Sequence, residues 1–183
     1  MMERLTGAAF AQLFTSFTRD AFRLETLDHY SVYDEMERFQ RFLAGDPPFS
    51  REESQRLRPW LGEVEAITAA GKRMHRVHVV CEPLSDYLRF ELTWGYPHNA
   101  EAGEEIFILR VGPDSWPDLP RHDFWLFDGE TVARMHYDSE GHFLGAELID
   151  DSEAVAQYCH WRDVALASAN PLEEYLDRYL PIR

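Results

Sequence analysis

Lysine is almost missing from this chain: Lys72 is the only one in 183 residues, and every other member of the 18 Lys and Arg positions is arginine. Biased coding composition accounts for that pattern, as does arginine-specific recognition of planar groups. Positive charge as a whole is scarce. Thirty-three Asp and Glu leave a formal net charge of −15, so a phosphate backbone meets repulsion and direct nucleic-acid binding is not expected. Cysteine is scarce too. Cys81 and Cys159 stand far apart with no C-x-x-C, which fits a reducing compartment better than a disulfide scaffold. No run approaches the ~18 apolar residues of a membrane helix, and MMERLTGAAF lacks the apolar core of a signal peptide. No membrane association is expected, and the expected location is the cytoplasm.

What is present is enough for a core, at 45% hydrophobic and 14% aromatic residues. The clearest pattern runs from Asp123 to Asp150. Asp128-Gly129 and Glu140-Gly141 are turn pairs between three β-prone segments, so the stretch reads as a β-meander. Upstream, Val77 to Cys81 is a dense β-branched run suited to a strand buried on both faces, and 104–111 reads as another strand. Helices are expected over 7–17, from Ser31 to Gly45, from Ser54 to Gly71, over 152–169 and from Leu172 to Pro181. For Tyr87–Trp94 a helix competes with an alternating strand. Phe22 and Leu24, apolar among charges, suggest an edge strand or an extended connector. Pro113, Pro117 and Pro120 make 112–121 a loop.

The fold expected is α/β (α+β), a mixed sheet with a C-terminal meander covered by helices, plus an N-terminal helical arm. Asp46-Pro47-Pro48 forbids helix and marks the boundary between an arm over 1–48 and an α/β body over 49–183.

Candidate chemistry is thin. His75 and His78 point to opposite faces of a strand and cannot share an ion. His136 and His142 straddle a turn and lack a clear third ligand, so no metal is expected, nor any other cofactor. The motifs H-E-x-x-H, G-x-S-x-G and G-x-x-x-x-G-K-[ST] are absent, and no catalytic residue is assigned. Arg89 and Glu91 diverge if they lie on a helix. On a strand they share a face and build a buried arginine–carboxylate network that orients a ligand. Trp94, Tyr96, Trp116 and Trp125 are candidates to line a groove. Asp123 and Asp128 flank the first meander strand, the latter better explained as a turn former. The binding candidates are therefore Arg89, Glu91, Trp94, Asp123 and Trp125.

Four strings, AFRLETLDHYSVYDEMERFQRFLAG, AGKRMHRVHVVCEPLSDYLRFE, NAEAGEEIFIL and LPRHDFWLFDGETVARMHYDSEG, resemble an uncharacterised family of small actinobacterial proteins. Its members are encoded beside helix-turn-helix regulators of toxin–antitoxin-like type. The resemblance implies a helix-turn-helix regulator as partner and carries over no site residue. The element order from Arg73 to Ala169 is also similar to phospholipase-D-like half-domains. Activity there requires H-x-K, whereas this chain has His122-Asp123-Phe124, which implies a catalytically silent relative.

The function expected is a non-catalytic regulatory or partner protein. It would bind a helix-turn-helix regulator, or a small ligand, through an acidic, aromatic-rich surface. One alternative is a hydrolase or nucleotide-acting enzyme with a carboxylate and histidine site around the 123–142 meander. The other is a self-associating scaffold. The oligomeric state stays open.

Overall fold

The computed structural model describes residues 4–112 and 114–180. Pro113 and Pro181, named above, and the side chain of Leu57 lie outside the described residues. The chain opens with two short helices, α1 (Gly7–Ala11) and α2 (Leu13–Ser16), and then strand β1 (Asp20–Glu25). A 3₁₀ turn (Tyr33–Glu35) leads into α3 (Met36–Leu43). Next come α4 (Arg51–Leu57), α5 (Pro59–Ala69) and strand β2 (Arg73–Cys81). A continuous helical segment follows: α6 (Asp86–Phe90), a π-helical turn (Glu91–Gly95) and α7 (Tyr96–Glu101). Strands β3 (Glu105–Val111), β4 (Phe124–Phe127), β5 (Thr131–Tyr137) and β6 (Phe143–Ile149) precede α8 (Ser152–Ser168). A two-residue strand β7 (Asn170–Pro171) and α9 (Leu172–Tyr179) complete the described chain.

The seven strands form one mixed sheet in the order β6-β5-β4-β1-β2-β3-β7. The α/β expectation and the meander of β4, β5 and β6 hold, as does the strand at 77–81, and over Tyr87–Trp94 the helix prevails over the strand. β1 is a correction. Expected at an edge or as a connector, it lies in the middle of the sheet, parallel to β2 and antiparallel to β4. Its charged residues had suggested exposure, yet Arg23 and Glu25 are buried, because other charges meet them there. The helix expected from Ser54 begins earlier. Ser50 and Glu53 form a capping box, and Pro59 starts a second helix as its first residue.

Side chains alternate across each strand, so the sheet has two distinct faces. One carries Phe22, Leu24, Val77, Val79, Phe124 and Leu126, closed by Val155, Tyr158 and Ala165 of α8. Each large side chain buried there stabilises by about 1.5–3 kcal/mol. The opposite face is split. Phe14, Leu61, Met74, Trp125 and Phe127 form one cluster beneath α2 and α5. Val80, Leu88, Tyr96, Ile106 and Tyr175 form another beneath the α6–α7 segment and α9.

Candidate functional site

Between those two clusters runs a belt of charge. Arg23 pairs in register with Arg76, and Glu25 with His78, so all four project from the same face of β1 and β2. The Arg76 Nε donates to Glu104 at 2.7 Å, and its Nη1 donates to Glu25 at 3.0 Å. Arg23 Nε lies 3.4 Å from the other Glu25 oxygen, and its Nη2 donates to Asp123 at 3.0 Å and to the Tyr137 hydroxyl at 2.8 Å. Tyr96 donates to Glu25 at 2.8 Å, and Asn99 donates to Glu104 at 2.7 Å. His78 joins Tyr96 at 2.6 Å and the Leu27 carbonyl at 3.0 Å. Buried charge of this density persists only when it is paired and hydrogen-bonded, and here nearly every group is.

A roof of aromatic side chains stands over the belt: Tyr30, Phe49, Tyr87, Phe90 and Trp94. Below it Glu35 accepts from the Tyr87 hydroxyl at 2.9 Å and faces Arg58 at 3.7 Å. The π-helical turn places Glu91 beside them. Pro97 lacks the N–H that would continue the helical ladder, and the extra residue per turn accommodates that break. Gly95 makes room for the carboxyl group, since a Cβ there would lie 2.6 Å from Glu91 Oε1. That oxygen is buried with no hydrogen-bond partner among the described residues, as are Nε and Nη1 of Arg38.

Two adjoining cavities open here. The inner one, about 210 Å³, is floored by Arg23, Glu25, Arg58, Arg76 and Glu91. The outer one, about 370 Å³, is lined by His29, Val32, Tyr33, Met36 and Phe39. Tyr30, Ser31, Val32, Glu35 and Tyr87 border both, so they form one cleft with an apolar mouth and a charged floor. Val32, Tyr33 and Met36 are exposed at the rim.

The floor's carboxyl groups are driven apart. Burial, then the neighbouring Glu35 charge, raises Glu91 to about 8, so at neutral pH it carries a proton. Burial acts the same way on Glu25, but Arg76 and Arg23 outweigh it and hold Glu25 far below the ordinary carboxylate range. Asp123 is shifted upward by burial, with Arg23 opposing. Its oxygens are saturated by Thr26, Arg23 and Tyr30. Asp123 therefore clamps the segment after β1 onto β4.

The binding candidates from sequence divide. Glu91 is at the cleft floor, Asp123 anchors the belt behind it, and Trp94 belongs to the roof. Trp125 lies under Arg23, whose guanidinium sits 5.4 Å from the ring. Arg89 is exposed on the far side of the helix, as the helical alternative required. The four aromatics suggested as a groove are dispersed: Trp94, Tyr96, Trp116 and Trp125 pack in four different clusters. His136 faces Glu147 and His142 faces Asp138. Among the described residues no three His, Cys, Asp or Glu are grouped to hold a metal ion. Asp128 accepts from the backbone of Thr18, Arg19 and Asp20, as a turn former does.

Sequence reasoning missed Arg23, Glu25, Glu35, Arg58 and Arg76. One signal was available. Charge alternates with apolar residues in Phe22-Arg23-Leu24-Glu25, and a similar rhythm runs through Arg76 and His78, the pattern of strands with one polar face.

The family described as a domain of unknown function (DUF6879) matches residues 8–177. No curated protein matches the chain. Among solved structures the chain is similar to Nuc of Salmonella typhimurium, a phospholipase D family member. The two are 10% identical over 90% of this chain and 91% of that one, with a TM-score of 0.48. NucT from Helicobacter pylori is 9% identical over 88% and 89% of the two chains, with a TM-score of 0.42. TrmBL2, an archaeal chromatin protein, is 11% identical, covering 88% of this chain and 48% of that one, with a TM-score of 0.45.

Proposed function

Because the chain belongs to the DUF6879 family, a domain of unknown function, its own geometry carries the functional reading, and we propose that it is a non-catalytic ligand-binding protein. It takes a small molecule into the cleft between the 3₁₀ turn, α3 and the charged belt, and passes the bound state to a partner protein. The observation that carries this is the cleft itself: an apolar mouth joined to a floor of converging polar groups, Glu91 among them. Ligand sites have this composition, mostly apolar walls with a few placed polar groups. Exposed Tyr33 and Met36 form the rim that a ligand would cover.

The non-catalytic part rests on the state of the acids. Glu25 is locked between two arginines, Asp123 has its oxygens filled, and Asp128 is committed to a turn. A hydrolase centred on Asp123, Asp128 or the His136 and His142 hairpin draws no support from these positions, since the groups do not converge.

For the partner we infer a helix-turn-helix regulator with a basic DNA-binding face. The net charge of −15 supports this, because an acidic exterior competes with phosphate for such a face. The ligand reading is tested by thermal shift and intrinsic tryptophan fluorescence against a small-molecule panel. Trp60 and Trp94 border or roof the cleft. A ligand that raises the melting temperature of the wild type is expected to lose its effect in Tyr33→Ala/Met36→Ala. Retention of the full shift in that variant would move the site elsewhere.

A further inference from the structure

Resting on the ligand-binding reading, the geometry points to the ligand's chemistry: a small amphipathic molecule whose oxyanion head, carboxylate or phosphate ester, is received by Arg23, Arg58 and Arg76. Its apolar body lies under Val32, Tyr33 and Met36.

Donors outnumber free acceptors at the floor. Each guanidinium offers five N–H groups and no acceptor. Arg76 uses Nε on Glu104 and Nη1 on Glu25, and its Nη2 has no partner among the described residues. Arg58 uses Nη1 on the Gly95 carbonyl and reaches Glu35 with Nη2, leaving Nε. Arg23 engages Nε and Nη2, leaving Nη1. All three arginines line the inner cavity. The Tyr137 hydroxyl accepts from Arg23 and keeps its own proton to give.

The acceptors, by contrast, are spent. Glu25 takes Arg76, Arg23 and Tyr96, and Glu35 takes Tyr87 and Arg58. The exception is Glu91, which as a neutral acid donates as well as accepts. Surplus donors call for an acceptor-rich ligand, and guanidinium groups match carboxylate and phosphate oxygens in planar pairs. An amine head would face three guanidinium groups and find Glu25 and Glu35 already engaged by them. The net charge of −15 opposes an anion at long range, but the Debye length is about 8 Å at physiological salt. At contact distance the local donors decide.

Glu91 adds a signature. It faces Glu35 from the 3₁₀ turn, Arg38 from α3, Arg58 from the α4–α5 junction, Tyr87 from α6, and Glu25 and Arg76 from the sheet. An oxyanion is compatible with the protonated form and repelled by the ionised one. Affinity for an oxyanion therefore falls as pH rises above about 8, by up to about tenfold per unit.

The test is isothermal titration of the full chain with four probes that share a phenyl body: phenylbutyrate, phenethyl phosphate, phenethylamine and phenylbutanol. Nile red serves as a neutral reporter of the apolar mouth. At least one oxyanion probe is expected to bind about tenfold or more tighter than phenylbutanol, the value of a charge-assisted pair. The tighter of the two tells carboxylate from phosphate. Phenethylamine is expected to bind no better than the alcohol. Arg58→Gln should cost the oxyanion about tenfold and leave Nile red unchanged, and Glu91→Gln should flatten the pH profile. The probe series uses the unmodified chain, so it stands even if a variant misfolds. Equal or tighter binding of amine or alcohol overturns the oxyanion head while leaving the cleft. Failure of every probe and of Nile red overturns the ligand-binding reading itself.

Discussion

The two faces of one sheet have been built by opposite rules. Under α8 the face of Phe22, Val77, Phe124 and Leu126 is closed mainly by apolar packing, with His75 buried beside Phe22. The other face carries Arg23, Glu25, Arg76 and His78 across its two central strands and gives apolar packing only the flanks. A dry face is the cheaper way to hold a sheet, because replacing a buried ion pair with apolar residues is often neutral or stabilising. Retaining the belt therefore argues for a role that packing does not supply, and the cleft lies over the belt and not over the dry face.

That contrast breaks first where the effects are largest. Phe124→Ala on the dry face and Arg76→Met on the belt should each destabilise by about 3–5 kcal/mol, for different reasons. The first leaves a cavity and the second leaves Glu25 and Glu104 without a counter-ion. Denaturant unfolding at several pH values separates them. The Phe124→Ala deficit should stay constant with pH. The Arg76→Met deficit should shrink as pH falls, because Glu25, no longer held down by Arg76, takes up a proton in the folded state. Equal pH dependence in both variants would erase the distinction between the faces.

The dry face was readable from the sequence and the belt was not. Val77 to Cys81 and the turn pairs of the meander announce themselves through β-branching and glycine, which are local properties. Arg23 and Glu25 looked like exposed residues because burial of a charge is decided by its partners. Those partners, Arg76 for Glu25 and Asp123 for Arg23, stand 51 and 100 positions away in the chain. Glu91 was singled out for a strand in which it would share a face with Arg89. It reached the cleft on a helix instead, paired with neither that arginine nor any other group at Oε1. The π-helical turn that carries it ends at Gly95, two residues before Pro97.

A second effect, spread over several pH units, sharpens the comparison. A carboxyl group raised from 4.5 to about 8 holds a proton in the folded chain that the unfolded chain has released. Stability is therefore lost as pH climbs between those two values and levels off above the upper one, by no more than about 1.4 kcal/mol per unit. Glu91→Gln removes the loss. Its melting temperature, relative to wild type, should rise progressively across that window and then stay constant. A flat difference from acid to alkaline pH would show that Glu91 ionises freely and that the floor is wetter than its burial implies.

The smallest effect comes from an arginine only three residues from Arg76. Arg73 makes a two-pronged pair with Glu105, at 2.9 and 2.7 Å, which is geometrically as good as any contact in the belt. Its side chain is 47% exposed and that of Glu105 48%, whereas those of Arg76 and Glu104 are 9% and 0%. If geometry decided the energy, Arg73→Met and Arg76→Met would cost alike. Solvent screening decides it instead, so Arg73→Met should cost about 0.2–1 kcal/mol and lose even that at high salt. Arg76→Met should keep most of its several-kcal/mol deficit in the same buffer, because water and salt do not reach Glu104. Chemical denaturation of the two variants at low and high salt measures how far the protein interior, and not the hydrogen-bond pattern, gives the belt its weight.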